Sequence, residues 1–218
     1  MTTPEYGARI PSFTAMEALR VNAAEEGVAD MAEAVKETAG IQPPPAGKYE
    51  LDLPHTAVEF VARHILTKVR GRFTEFSGWI DIAEKLEESS VQVEVKTASI
   101  QTNTEQRDQH LKSDDFLNVE KWPVMTFRST AVRHTGGASF ELDGELTIRD
   151  VTRPITLTGE YLGTDTNPSG KTVLAASAKA TLEREDWDVS WNMVLETGGL
   201  LVSKAVDLEL EVEAIKVG

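Results

Sequence analysis

The chain contains no cysteine. Disulfides, thiolate nucleophiles and cysteine-ligated zinc or iron–sulfur centres are therefore excluded. Basic residues are scarce: 22 Lys and Arg stand against 36 Asp and Glu, a net charge of -14. Nothing in the sequence resembles the basic stripe that displaces counterions from nucleic acid, so no nucleic-acid partner is expected. An anionic membrane surface repels such a chain on average. Long apolar runs are also missing. No window reaches the length of a transmembrane span, so no stable membrane anchor is expected. The first residues, MTTPEYGARIPSF, lack a basic region followed by an apolar stretch, the pattern of a secretory signal. A cytoplasmic location is the expectation.

The 218 residues suit one globular domain with an appendage. Three zones are visible. Residues 1–40 carry a capping-box pattern, Thr14-Ala15-Met16-Glu17, followed by Val21, Ala24, Val28, Met31, Ala32 and Val35 at helical spacing. This predicts an N-terminal amphipathic helical extension. Residues 41–47, IQPPPAG, form a proline-rich linker, because consecutive prolines cannot donate backbone hydrogen bonds and favour an extended spacer. From residue 48 to 218 the period changes to two.

Val91, Val93 and Val95 alternate with Gln92, Glu94 and Lys96, and Val206, Leu208, Leu210 and Val212 alternate with Asp207, Glu209 and Glu211. Strands with one wet and one dry face read this way, and antiparallel sheets contain them. About eight strands are predicted, near 49–64, 68–82, 90–100, 123–134, 138–149, 153–165, 171–184 and 201–216. Gly136-Gly137 and Asn167-Pro168-Ser169-Gly170 are hairpin signals. Within the second strand Gly71 and Phe73 share one parity, while Phe76, Gly78 and Ile80 share the other. That phase switch predicts a bulge or bend. The expected fold is all-β: an eight-stranded antiparallel up-and-down, lipocalin-like barrel, which removes exposed edges.

Parity also assigns an inward set. The first three strands contribute Phe60, His64, Phe73 and Val93. The middle strands contribute Met125, Phe127, Leu142, Leu146 and Leu157, and the last two Ala176, Ala178, Ala180, Leu208 and Leu210. Alanines on the seventh strand and glycines at 71, 78, 144 and 159 put small residues at dry positions. They point to a narrow apolar tunnel for a chain-like lipid; the alternative is a barrel filled by larger neighbours.

Several ordered motifs in this zone match a known family. They include Asp52-Leu53-Pro54-His55-Thr56, Val69-Arg70-Gly71-Arg72-Phe73, Arg107-Asp108-Gln109-His110-Leu111, Pro123-Val124-Met125-Thr126-Phe127 and Arg184-Glu185-Asp186-Trp187. On these residues the chain resembles the YceI-like family of lipocalin-like polyisoprenoid-binding proteins. The resemblance implies a barrel, often dimeric and hence a homodimer here, with a tunnel for a polyprenyl phosphate or an isoprenoid quinone tail. It implies no catalysis. Thr56 stands where the family usually has serine, and Asp150 and Asp188 where it commonly has glycine. The N-terminal zone is not covered.

The segment TEQRDQHLKSDDF, residues 104–116, packs charged groups as an active site would. It is expected to form a short helix and loop over one barrel end. Arg107 and Asp108 are adjacent and splay apart, whereas His110 and Asp114 are spaced i, i+4 and can pair. Capping and anchoring roles compete with Arg107 or His110 facing a polar head group at the mouth. No activated nucleophile or orienting triad accompanies them. No ligand spacing joins His55, His64 and His110, so no metal or cofactor is expected. Trp187 and Trp191 lie in an irregular stretch, EDWDVSWNMVLETGG, a candidate flap. The leading function is non-catalytic binding, storage or transport of an isoprenoid or similar amphipathic lipid. The alternatives are an enzyme acting on a lipid-like substrate at the mouth, and an interaction module using the N-terminal helix.

Overall fold

Alternating residues give extended chain, and eleven strands share one antiparallel sheet that closes on itself. They are β1 (Gly47–Leu51), β2 (Ala57–His64), β3 (Thr67–Phe73), β4 (Phe76–Ile82), β5 (Ser90–Lys96), β6 (Ile100–Gln101), β7 (Val124–Gly136), β8 (Ser139–Ile148), β9 (Val151–Thr166), β10 (Thr172–Glu183) and β11 (Val202–Val217). One α-helix, α1 (Glu105–Lys112), follows β6. The structure is a computed structural model that describes residues 42–196 and 199–217. The predicted N-terminal helix lies outside the described residues.

Six of the strands are halves of three bent ones. β1 and β2 both pair with β11 and are separated by a 3-10 turn at Leu53–His55. β3 and β4 are broken at Thr74-Glu75, and β5 and β6 at the 3-10 turn Thr97–Ser99. Counted this way the sheet is an eight-stranded barrel. Its seam is the pairing of β1 with β11, with Lys48 opposite Val217 and Leu51 opposite Ala214. The phase switch falls at Thr74-Glu75: Gly71 is buried before the break, and Phe76, Gly78 and Ile82 are buried after it. The bend keeps apolar side chains inward on both sides of a corner.

Local chemistry sets the hairpins. Gly136 and Gly137 connect β7 to β8 with φ of 121° and 58°, a region open to glycine at no steric cost. The β9–β10 turn is held by Asn167, whose side-chain oxygen accepts the Ser169 and Lys171 N–H groups at 3.0 Å.

Two apolar clusters result. The larger gathers Tyr49, Leu51, Phe76, Ile82, Val95, Met125, Leu174 and Ala214 in the barrel body. The smaller gathers Phe116, Leu182, Trp187 and Val189, where the segment after β10 folds over the barrel end. Trp187 is buried and donates its indole N–H to the Leu146 carbonyl at 3.0 Å, so this part of the candidate flap is pinned to the wall.

Candidate functional site

The register decides which side chains share the interior. Phe60, Phe73, Val93 and Ala176 pack against the larger cluster, and Leu146, Ala180 and Leu208 against the smaller one. Ala178 is paired with Leu210 on the same face. Although a closed sheet surrounds them, all of these remain half-buried, as does Phe127. Met125, Leu142 and Leu157 are buried. Within the closed sheet the first set keeps partial exposure, whereas these three do not.

The glycines do not supply that room. A Cβ on Gly71 would lie 2.2 Å from Phe60 Cζ, one on Gly144 2.4 Å from the Phe127 ring, and one on Gly159 2.3 Å from the Phe140 ring. Phe60 is directly paired with Gly71 and Phe140 with Gly159, while Phe127 lies diagonally across from Gly144. Each ring occupies the place its glycine vacates. The expected opening at these positions is thus corrected: aromatic rings from the neighbouring strand take it. The face of β10 carries the small side chains of Ala176, Ala178 and Ala180, all half-buried.

His64 keeps the inward parity but ends β2 at the rim, exposed, opposite Thr67 and Val202. The rim there is apolar. Leu66 is 83 % exposed and Val194 72 %. Ile65 and Met193 are joined to that rim through the two backbone hydrogen bonds of Leu201.

The charged segment on α1 resolves into anchors. Arg107 donates from Nε to the Thr102 hydroxyl at 2.7 Å and from Nη2 to the Thr102 carbonyl at 2.7 Å. Asp108 Oδ1 accepts the Thr102 N–H at 2.8 Å and also its hydroxyl. Arg107 and Asp108 therefore satisfy one buried threonine and fix the helix to the end of β6. His110 pairs through Nε2 with Asp115 at 2.9 Å, not with Asp114. The helix stops at Lys112 and Ser113 is extended, so i, i+4 geometry does not continue past it. The His110 ring stands edge-on to Phe116 and Trp191, with centroids 5.0 Å and 4.6 Å away.

Among the described residues His55, His64 and His110 do not gather into one cluster of possible metal ligands. His55 sits at the β1–β2 break, with Nδ1 2.9 Å from Asp52 and 3.7 Å from Glu213. Its hydrogen bond to Asp52 and then the charges of Asp52 and Glu213 raise its pKa above 6.5. The trio fastens the bend to β11, where the Thr56 hydroxyl also donates to the Glu213 carbonyl at 2.9 Å.

Arg184 is a residue that parity alone underrates. It lies two positions beyond inward Leu182 and is 7 % exposed. Its Nε donates to the Ser203 carbonyl at 2.9 Å and its Nη1 to the Val189 carbonyl. The available signal was its place at the end of an inward series.

Comparison with known proteins bears on this geometry. A family model described as YceI-like domain matches residues 49–214. The chain belongs to the YceI-like family. It is 33% identical over 175 residues to a UPF0312 protein of Vibrio parahaemolyticus, covering 78% of this chain and 88% of that one. It is 35% identical over 175 residues to a UPF0312 protein of Pseudomonas paraeruginosa, with the same coverage of 78% and 88%. Among solved structures, the Campylobacter jejuni YceI protein matches with TM-score 0.62 and 28% identity, over 72% of this chain and 90% of that chain. BcnA of Burkholderia cenocepacia matches with TM-score 0.65 and 20% identity, over 75% and 98%. A polyisoprenoid binding domain from Saccharophagus degradans matches with TM-score 0.58 and 14% identity, over 79% and 100%. These last two likenesses are of fold. No described helix is long and apolar enough to cross a membrane.

Proposed function

We propose that this YceI-like protein binds, stores or carries an isoprenoid or similar amphipathic lipid, without transforming it. The observation that carries this reading is the half-buried apolar wall inside a closed barrel, with Phe60, Ala176, Ala178 and Leu210 among its members. Each methylene removed from water contributes about 0.8 kcal/mol, so a long hydrocarbon binds well with few polar contacts. The same arithmetic gives loose discrimination between chain lengths. The Saccharophagus degradans domain, with the same fold, is a polyisoprenoid binder. Arg107 and Asp108 support a non-catalytic reading, since their hydrogen bonds are spent on Thr102. The ligand class is a polyprenyl phosphate or an isoprenoid quinone, held by a cytoplasmic homodimer.

Native mass spectrometry of detergent-free protein, with organic extraction in parallel, tests the reading. A stoichiometric isoprenoid adduct, or its uptake by delipidated protein, is the expected result. A clean apo mass that accepts neither polyprenyl phosphate nor quinone refutes the carrier. Light scattering on the same sample checks the homodimer.

A further inference from the structure

The β2–β3 connection is a two-residue turn built from residues that suit it poorly. His64 pairs with Thr67, so Ile65 and Leu66 form the whole loop. Ile65 has φ of 53°, a region that disfavours a β-branched side chain and that hairpins of this length usually give to Gly, Asn or Asp. Both side chains are exposed, Leu66 most of all. Chain reversal alone calls for neither residue. The neighbouring loop has the same character. Val194 bridges to Leu200 as that loop doubles back. Leu201 ties the two tips together: its carbonyl accepts the Ile65 N–H at 2.9 Å and its own N–H donates to the Met193 carbonyl at 2.9 Å. Met193, Val194 and Leu200 are exposed. Five exposed apolar side chains therefore share one stretch of rim, where β2 ends at His64. Among the described residues, the other large apolar side chains of comparable exposure lie singly on four separate elements. Singles are ordinary, whereas a contiguous patch marks a contact surface.

Cations stand directly behind this tip. Arg63 donates from Nη1 to the Leu66 carbonyl at 3.2 Å, which holds its guanidinium at the turn. Lys68 is paired with Arg63 across β2 and β3. Both are exposed, and among the described residues neither comes within ion-pair distance of a carboxylate. The chain has no Asp or Glu between Glu59 and Glu75. On the second loop Lys204 is matched by Glu185 at 2.8 Å, and Glu196 is the one carboxylate from Met193 to Leu200. The two tips thus keep a small cationic excess, Arg63 and Lys68 against Glu196, within a protein of net charge -14.

We propose that the tips carrying Ile65, Leu66, Met193, Val194 and Leu200 form a docking surface for a lipid bilayer, entered by these side chains and held at the phosphate layer by Arg63 and Lys68. Apolar side chains sink into the boundary between head groups and acyl chains, and Lys or Arg behind them reach the phosphates on long stems. The charge of the whole protein repels an anionic leaflet, so attraction is local and turns this rim toward the membrane. A second copy of the chain fits the patch less well. A two-fold contact would set Arg63 and Lys68 of one copy against those of the other, and none of the five side chains is an aromatic anchor. The docking surface stands on its own geometry; its use for loading or delivering lipid rests on the carrier reading.

Vesicle flotation of the full-length protein tests this. The probes are phosphatidylcholine vesicles and vesicles of an equimolar mixture of phosphatidylcholine and phosphatidylglycerol. Wild-type protein is expected to float with the anionic mixture, less with phosphatidylcholine alone, and to lose the difference in high salt. Leu66→Asp combined with Val194→Asp is expected to weaken binding by roughly tenfold or more at an unchanged urea midpoint, because both side chains are exposed. Arg63→Gln and Lys68→Gln are each expected to lower binding to the anionic vesicles by about fivefold and to leave binding to phosphatidylcholine in place. Ile65→Gly suits the turn and is expected to weaken flotation without lowering the midpoint, a separation that a purely structural turn would not produce. Wild-type protein that floats with neither vesicle overturns the proposal and leaves the carrier reading untouched, since lipid uptake is measured separately by mass spectrometry. Flotation without lipid uptake removes the carrier reading and keeps the docking surface. Flotation that survives the double substitution overturns the assignment to this rim. A homodimer that falls to monomer in that variant, with no flotation of the wild type, gives the patch to a second copy instead.

Discussion

The ring of Phe60 stands where a side chain on Gly71 would be: the two residues face each other across β2 and β3, and a Cβ on Gly71 would lie 2.2 Å from Cζ of the ring. Gly71→Ala therefore forces the ring from its place. Overpacking of this kind costs about 1–3 kcal/mol, read as a lower urea midpoint. Combining it with Phe60→Leu should recover most of the loss. If the two substitutions simply add, the ring and the glycine are not coupled.

Ala178 faces Leu210 on the lumen wall. On the carrier reading a ring at this position enters the ligand's space, so Ala178→Phe is expected to block lipid uptake while changing stability by less than about 1 kcal/mol. In a filled core the same substitution would cost about 1–3 kcal/mol. Urea unfolding and lipid titration of one sample separate these outcomes, and a stable variant that still takes up lipid would show that the ligand passes elsewhere.

Asp108 accepts both the N–H and the hydroxyl of Thr102. Asp108→Ala leaves that buried threonine without its acceptor, which costs about 1–3 kcal/mol. The anchoring role of the network predicts unchanged lipid affinity. A loss of affinity at full stability would return the segment to the binding site.

Two surface groups make stability depend on pH in opposite directions. His55 has its pKa raised by its hydrogen bond to Asp52 and by the charges of Asp52 and Glu213. Its contribution is present below the unfolded value of 6.5 and is lost as pH rises through the higher folded value. Asp143 has its pKa lowered from 3.8 to about 2, first by the hydrogen bond from Arg133 and then by that from Thr156. Its contribution is present above 3.8 and is lost as pH falls towards about 2. Thermal midpoints across pH should show both slopes, with His55→Gln flattening the upper one and Asp143→Asn the lower. A His55→Gln profile that matches wild type would mean the bend is held without the imidazole.

Strands were legible where one face stays dry. The series Val206, Leu208, Leu210, Val212 alternates without interruption and becomes the long β11. The corner at Thr74-Glu75 was legible too, because Phe73 and Phe76 cannot both point inward on an unbroken strand. The 3-10 breaks carry no such phase switch: the one at Leu53–His55 holds Pro54, which cannot donate to a ladder, and the one at Thr97–Ser99 has no proline or glycine to announce it. Cross-strand filling was hidden for a related reason. Gly144 looks like empty space until the register brings the Phe127 ring over it, and register is a property of two strands. Among the charged residues, the chemistry of Arg107 and His110 drew attention although their partners are local. Arg184 did not, since its burial and its two carbonyl partners become visible only once its surroundings are known.

The seam between β1 and β11 has a consequence for biosynthesis. It joins the first strand of the barrel to the last, and contacts such as Lys216 Nζ to the Ala46 carbonyl span 170 positions of sequence. β11 is synthesised after every other strand of the barrel, so β1 and β2 each wait with one bare edge until it emerges. Non-local closure of this kind is slow, and unpaired edges invite association with other chains. A transcript truncated before Val202 would yield an open sheet with sticky edges, and the barrel closes in one step, when β11 arrives.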